Sequence, residues 1–298
     1  MKLETLNIEK IEEFKEYCRK HKAEVDDSFL YEEDLEEFKL DEDNPTYIIT
    51  DENDKIIAAT SLVIDDYFRK GKKARFRIFH SEIDHADFYK MLMDVILKHT
   101  AGLEQLFMFV PIENEQLLKS IEGLKFEVSR YSFVLVRNQG IVPEIKFPEG
   151  YRVRAFRIDE DVEIFRDIRN EGFKNLKGSE TPLTSEIVMK ILGSDDYIEG
   201  GIMILYHGEK PVGIVRGSDD EHEGKPVMNI GPLAILPEYQ GKGLGRNLLR
   251  ASLNFANDKE YKGTILCVNA ENQKAKEMYI QEGFKQVEAL ACYNYVLK

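Results

Sequence analysis

Gly241, Gly243 and Gly245 alternate with Lys242 and Leu244 between an apolar run ending at Ile235 and a stretch with apolar residues at helical spacing. Residues without a Cβ let the chain bend tightly and bring backbone N–H groups up to an anion. A helix that starts there aims its positive end at the same point. Lys242 and Arg246 add charge, so the expected chemistry is the holding of a phosphate or diphosphate. A Walker A loop would need Ser or Thr directly after its Gly-Lys, and Gly243 follows Lys242. A dinucleotide G-x-G-x-x-G would need a further glycine at Arg246 or Leu248, so neither of these cradles fits.

A second constellation lies downstream. Thr264 to Val268 is a short β-rich run, followed by Asn272, Ala275, Tyr279 and then Gly283-Phe284. Asn272 and Tyr279 are two helical turns apart, which predicts that both side chains project from one face and line one groove.

Together the two segments resemble the GNAT superfamily of N-acetyltransferases. Gln240 to Gly245 has its Q/R-x-x-G-x-G/A spacing, and the second segment has its strand, N-x-x-A-x-x-x-Y and G-F order. The resemblance implies an α+β fold, a twisted mixed sheet of about six to seven strands flanked by helices. It implies acetyl-CoA as co-substrate, no metal, and a primary amine on a small molecule or peptide as acceptor, with direct transfer in a ternary complex. By the same resemblance, Leu233, Ala234 and Ile235 end the strand whose free N–H, at Ile235, polarises the thioester carbonyl. Gln240, Gly241, Lys242, Gly243, Leu244, Gly245 and Arg246 hold the pyrophosphate, Asn272 touches the pantetheine arm, and Tyr279 protonates the departing thiolate. Many relatives carry a Glu on the fourth strand, but Val227 to Gly231 has none. Asn229 could orient a water, and Glu199, Asp219, Asp220, His207 and His222 stay open as bases. A non-catalytic acyl-CoA sensor, with Tyr279 as a packing residue, is the alternative.

The elements that position these residues require more than one core. A chain of 298 residues can bury two. Its net charge of −14 argues against nucleic acid or an anionic membrane as partner. No run of eighteen apolar residues or signal-peptide core is apparent, so a soluble, cytoplasmic protein is expected, as a monomer or homodimer. Cys18, Cys267 and Cys292 are scattered, which suggests neither a disulfide framework nor a zinc site, and Cys267 is expected to be buried and inert.

The two halves look duplicated. Phe126 and Phe284 are 158 positions apart, as are Asn114 and Asn272. Matching hairpin patterns surround Asp51–Asp54 and His207–Lys210. At this offset Tyr279 falls on Ile121, and the glycine bend falls on Glu82-Ile83-Asp84-His85-Ala86-Asp87, with three acids and no glycine. The first copy is therefore expected to keep the fold without the cofactor. Breaks at Gly140, Pro143, Pro148 and Gly150 place the boundary, giving domains at 1–140 and 151–298. Between Glu24 and Asp43 stand eleven acids and one lysine, expected as a solvated helix face.

Overall fold

The computed structural model describes residues 1–83 and 85–297. Asp84, within the counterpart of the glycine bend, lies outside the described residues, as does Lys298. The chain forms two compact units, Met1–Ser132 joined by Ala289–Lys298, and Phe133–Glu288.

In chain order, the first unit begins with β1 (Lys2–Thr5), α1 (Ile11–His21), α2 (Glu32–Glu36), β2 (Thr46–Thr50), β3 (Ile56–Val63) and α3 (Asp66–Lys70). It continues with β4 (Lys73–Ser81), α4 (Ala86–Ile96), β5 (Gln105–Pro111), α5 (Glu115–Glu122) and β6 (Glu127–Asn138), whose last residues enter the second unit. The second unit holds β7 (Tyr151–Ala155), α6 (Ile158–Phe173), α7 (Ser185–Leu192), β8 (Tyr197–His207), β9 (Lys210–His222) and β10 (Lys225–Ile235). Then come α8 (Leu244–Asp258), β11 (Gly263–Asn269), α9 (Gln273–Gln281) and β12 (Lys285–Val296), which ends in the first unit.

Strand order is β1-β2-β3-β4-β5-β12 in one unit and β7-β8-β9-β10-β11-β6 in the other. Both are mixed sheets, with parallel pairing where β4 meets β5 and β10 meets β11 among antiparallel neighbours. The repeat register holds: α4 and α8 begin at Ala86 and Leu244, β5 and β11 at Gln105 and Gly263, and α5 and α9 at Glu115 and Gln273, each pair 158 apart.

The expected boundary is corrected at both ends. Leu290 to Val296 of β12 pair antiparallel with Pro111 to Gln105 of β5, and Tyr293 and Tyr295 pack on the first unit's core. Leu135 of β6 is fully buried in the second unit's core beside Leu266 and Phe284. The units have therefore exchanged their closing strands, and no single cut of the chain at 140–150 separates them. Hydrophobic strands with free ladder edges on both units permit either pairing, and the local pattern is the same for both.

Helix α8 forms as its spacing dictates. Leu244, Leu248, Leu249, Leu253 and Ala256 are all buried in the second core. Each such leucine contributes about 2 kcal/mol on removal from water. Helix α6 crosses β10 so closely that a Cβ on Gly172 would stand 2.9 Å from that of Ala234.

Polar groups lock β7 to α6. Buried Asp161 accepts hydrogen bonds from the Arg154 guanidinium at 2.5 and 2.8 Å and from the Arg157 N–H at 2.7 Å. Burial raises the pKa of this carboxyl, but the bonds from Arg154 and Arg157 outweigh it and leave it below its ordinary value. A carboxylate with a depressed folded-state pKa stabilises fully above its unfolded value and loses that contribution as pH falls through the folded one. Asp161→Asn is expected to cost about 2 kcal/mol in urea unfolding at pH 7. It should also flatten the loss of stability of the native protein below about pH 4.

The acidic stretch is more structural than its composition suggests. Glu32 pairs with Arg19, Asp43 with Arg69, and the mostly buried carboxylate of Asp26 with Arg75.

Candidate active site

In the second unit, β9 and β10 pair regularly from Lys225 to Ile230 and again from Leu233 to Ile235, with a bulge between. Past this bulge the Leu236 N–H donates to Val212 O at 2.9 Å. Antiparallel partners alternate between bonded and non-bonded pairs, so Ala234 faces β9 with its amide while Leu233 and Ile235 turn theirs the other way. On that other side β11 pairs with β10 only at Met228–Thr264 and Asn229–Ile265. Beyond these residues the parallel strands splay, and the amides of Leu233 and Ile235 point into the gap.

The bend after β10 follows. Gly241 and Gly243 have φ of +77° and +74°, the left-handed region that costs other residues roughly 1–2 kcal/mol. No Cβ built on Gly241 would meet a neighbour, so the glycine serves backbone conformation and approach from solvent. No side chain caps α8. The Asn247 N–H closes back on Gly243 O, while those of Leu244, Gly245 and Arg246 belong to the first turn and have no intrahelical acceptor. These amides lie beside those of the exposed residues 241–243 at one bend of the chain.

Other predicted residues are placed differently. Gly245 lies inside the first turn, where a Cβ would make ordinary contact 3.7 Å from the side chains of Ile235 and Leu233, so neither packing nor backbone conformation demands a glycine there. Gln240 Nε2 donates to Ile235 O at 2.9 Å and ties the bend to the strand end. Lys242 lies over the Tyr239 ring, 5.2 Å from its centroid. Arg246 is engaged with Glu282 at 3.1 Å and with Gln281. Asn272 caps α9, its Oδ1 accepting from the Ala275 N–H at 3.3 Å, so its amide NH2 is the end available to a ligand.

Tyr279 is 9% exposed and meets Phe284 edge-on at 5.8 Å between ring centroids. Burial pushes its phenol up to about 12. Among the described residues no hydrogen-bond partner holds its hydroxyl.

The open bases separate by their partners. Asp219 accepts from Tyr261 Oη at 2.7 Å, and His207 stacks on Tyr151 at 4.5 Å. Asp220 takes the Asn229 amide at 2.9 Å, joining β9 to β10. Glu199 lies on β8, and His222 at the end of β9 pairs in register with Lys225 of β10. Cys267 is exposed, contrary to expectation, because alternation along β11 turns Leu266 and Val268 into the core and Cys267 away from it.

Glu282 was not singled out by the motifs. Its carboxylate is buried and accepts from Arg246 and from Arg250, the latter at 2.8 Å through both oxygens, fixing the first turns of α8 against the end of α9. Its position one residue before Gly283-Phe284 was the available signal. Glu282→Ala removes the carboxylate that two guanidinium groups share and is expected to cost about 3 kcal/mol, read by urea unfolding.

The first unit has the same gap between β4 and β5, paired only from Lys73–Gln105 to Arg75–Phe107. Here Asp26 stops it, pairing with Arg75 and accepting from the Phe109 N–H at 3.4 Å. A small cavity remains, lined by Val25, Asp26, Phe76, Arg77, Met108 and Phe109. His85 caps α4 by accepting from the Asp87 N–H, so a side chain answers the helix start that α8 leaves open.

Residues 165–284 match the sequence profile of the Acetyltransferase (GNAT) family. The fold is the GNAT fold in tandem. Among solved structures, a GCN5-related N-acetyltransferase from Sphaerobacter thermophilus aligns over 99% of this chain and 95% of its own, with TM-score 0.75 and 14% identity. A tandem GNAT protein from the clavulanic acid biosynthesis pathway aligns over 99% and 98%, with TM-score 0.68 and 12% identity. Curated relatives include the mycothiol acetyltransferase of Kytococcus sedentarius, 24% identical over 145 residues, 49% of each chain. That of Acidothermus cellulolyticus is 24% identical over 209 residues, 65% of this chain and 63% of its own. The chain spans about half the length of the first of these curated relatives. No helix among the described residues is long and apolar enough to cross a membrane.

Proposed function

We propose that the second unit is an acetyl-CoA-dependent N-acetyltransferase that moves the acyl group directly to a primary amine. The observation that carries this reading is the uncapped start of α8 directly after a splayed β10–β11 pair: one feature suits a diphosphate, the other an extended arm added along a strand edge. When bound, acetyl-CoA supplies an activated thioester. The chain's own groups then divide the work. Amides from Gly241 to Arg246 bind the diphosphate, and the Asn272 amide NH2 meets the arm. The Ile235 N–H donates to the carbonyl oxygen as negative charge grows there, a preorganised contact that needs no rearrangement. Tyr279, kept protonated by burial, gives its Oη proton to the leaving sulfur, and the proton that the acylated nitrogen sheds passes through water to restore the phenol. The acceptor is a small molecule or peptide, approached without nucleic acid or membrane, and the protein works in the cytoplasm as a monomer or homodimer.

The first unit serves as scaffold in this reading, its gap filled by Asp26 and its helix start by His85. The test is calorimetry with acetyl-CoA combined with thiol release across a panel of amines. One-to-one binding with turnover on at least one amine supports the reading. Binding without turnover on any amine transfers the assignment to an acyl-CoA sensor, and absence of binding removes both.

A further inference from the structure

We propose that His21, Glu24 and His80 of the first unit form a binding site for one divalent transition cation of the Zn2+ class. Their ligand atoms gather within 4.8 Å of one another at the end of α1, in the segment after it, and near the end of β4. Glu24 bridges the two imidazoles, with Oε1 2.8 Å from His21 Nδ1 and Oε2 3.2 Å from His80 Nε2. Ligand atoms around a tetrahedral Zn2+ with bonds of about 2.0 Å stand about 3.3 Å apart, so small side-chain adjustments admit the ion.

The outer nitrogens of both rings decide where the protons sit. His21 Nε2 faces Glu82 Oε1 at 3.0 Å, and a carboxylate can only accept, so Nε2 carries hydrogen. His80 Nδ1 lies 2.7 Å from Tyr17 Oη, which lies 3.2 Å from Ile57 O. The hydroxyl has one proton and the carbonyl can only accept. Both contacts are hydrogen bonds only when Tyr17 donates to Ile57 and His80 Nδ1 donates to Tyr17. Neutral rings with these tautomers present lone pairs, His21 Nδ1 and His80 Nε2, toward the carboxylate oxygens of Glu24. Either a proton on each of these nitrogens or one cation between them relieves lone pairs facing lone pairs at these distances. Two imidazolium rings stacked at 4.1 Å and almost wholly buried would repel each other, whereas a single cation satisfies all three groups.

Around this core stands the outer support of a metal centre: imidazoles oriented through their second nitrogen by a carboxylate and by a tyrosine–carbonyl pair. Glu82 is itself held by Lys20 at 2.6 Å, and the Glu24 carbonyl accepts from Asn114 Nδ2 at 2.6 Å. Both histidines are buried, but the Glu24 side chain is about half exposed, which gives the ion an entrance from solvent. Nitrogen and oxygen donors in this number select Zn2+ or Co2+ over Mg2+ or Ca2+.

The test uses the untagged full chain, stripped with chelator and titrated first with Co2+ and then with Zn2+. The expected result is one equivalent of Co2+ with visible absorption bands of a tetrahedral ion, displaced by one equivalent of Zn2+. Glu24→Gln keeps the shape and offers its amide hydrogens to one ring nitrogen, so it should fold while binding Co2+ at least about 100-fold more weakly. His80→Gln should remove the absorption bands. No saturable uptake by the native chain overturns the proposal. So does uptake that both substitutions leave unchanged, since the ion would then sit elsewhere. Thermal melting of metal-free Glu24→Gln within a few degrees of the native chain shows that lost binding reports the ligand and not the fold.

Discussion

Gly243→Val is expected to reduce acetyl-CoA affinity at least about 100-fold while leaving the protein folded. Gly243 sits at φ +74° immediately before α8, and valine is β-branched, so the substitution forces the bend to reopen. Reopening turns away at least two amides that would face the diphosphate, each hydrogen bond to a charged group contributing about 1.5–3 kcal/mol. The sum spans about two to four powers of ten in affinity. The residue is exposed and its Cβ would meet only Asn247 Nδ2 at 4.0 Å, so the core of α8 does not feel the change. Calorimetric titration beside a thermal melt separates the two effects. Native-like affinity in Gly243→Val would remove the cradle from the proposed function.

Tyr279→Phe is expected to lower kcat by about 10²- to 10⁴-fold with little change in the dissociation constant of acetyl-CoA. The Tyr279 hydroxyl has no hydrogen-bond partner among the described residues and the ring packs on Phe284, so phenylalanine preserves the fold. The phenol, raised to about 12, holds its proton across the neutral range, and the native rate should show no loss from its ionisation below about pH 10. Steady-state kinetics on the responsive amine measures both. An unchanged kcat would make Tyr279 a packing residue.

Local features of the chain were readable because short-range chemistry determines them. The leucine face of α8, the left-handed glycines, and the 158-residue register follow from spacing within a few turns or strands. Features that depend on remote partners were not. Glu282 gives no motif signal because its role rests on Arg246 and Arg250, more than thirty positions away. Cys267 sits in an apolar run, and only the side of β11 that the core occupies decides its exposure. His21 and His80 come together across a hairpin and a helix, far beyond any spacing that marks a metal motif. The destination of a closing strand is equally remote, because β6 and β12 carry similar patterns and either sheet edge accepts them.

That exchange has a consequence for synthesis. Pro111 ends β5, and Ala289, the first residue of the segment that covers it, is translated 178 positions later. At roughly 5–20 residues per second the ribosome needs about 10–35 s to supply it. During that interval the β5 edge lacks its native partner and is open to aggregation, to chaperone capture or to provisional pairing with β6, and it closes natively only after most of the second unit has been made.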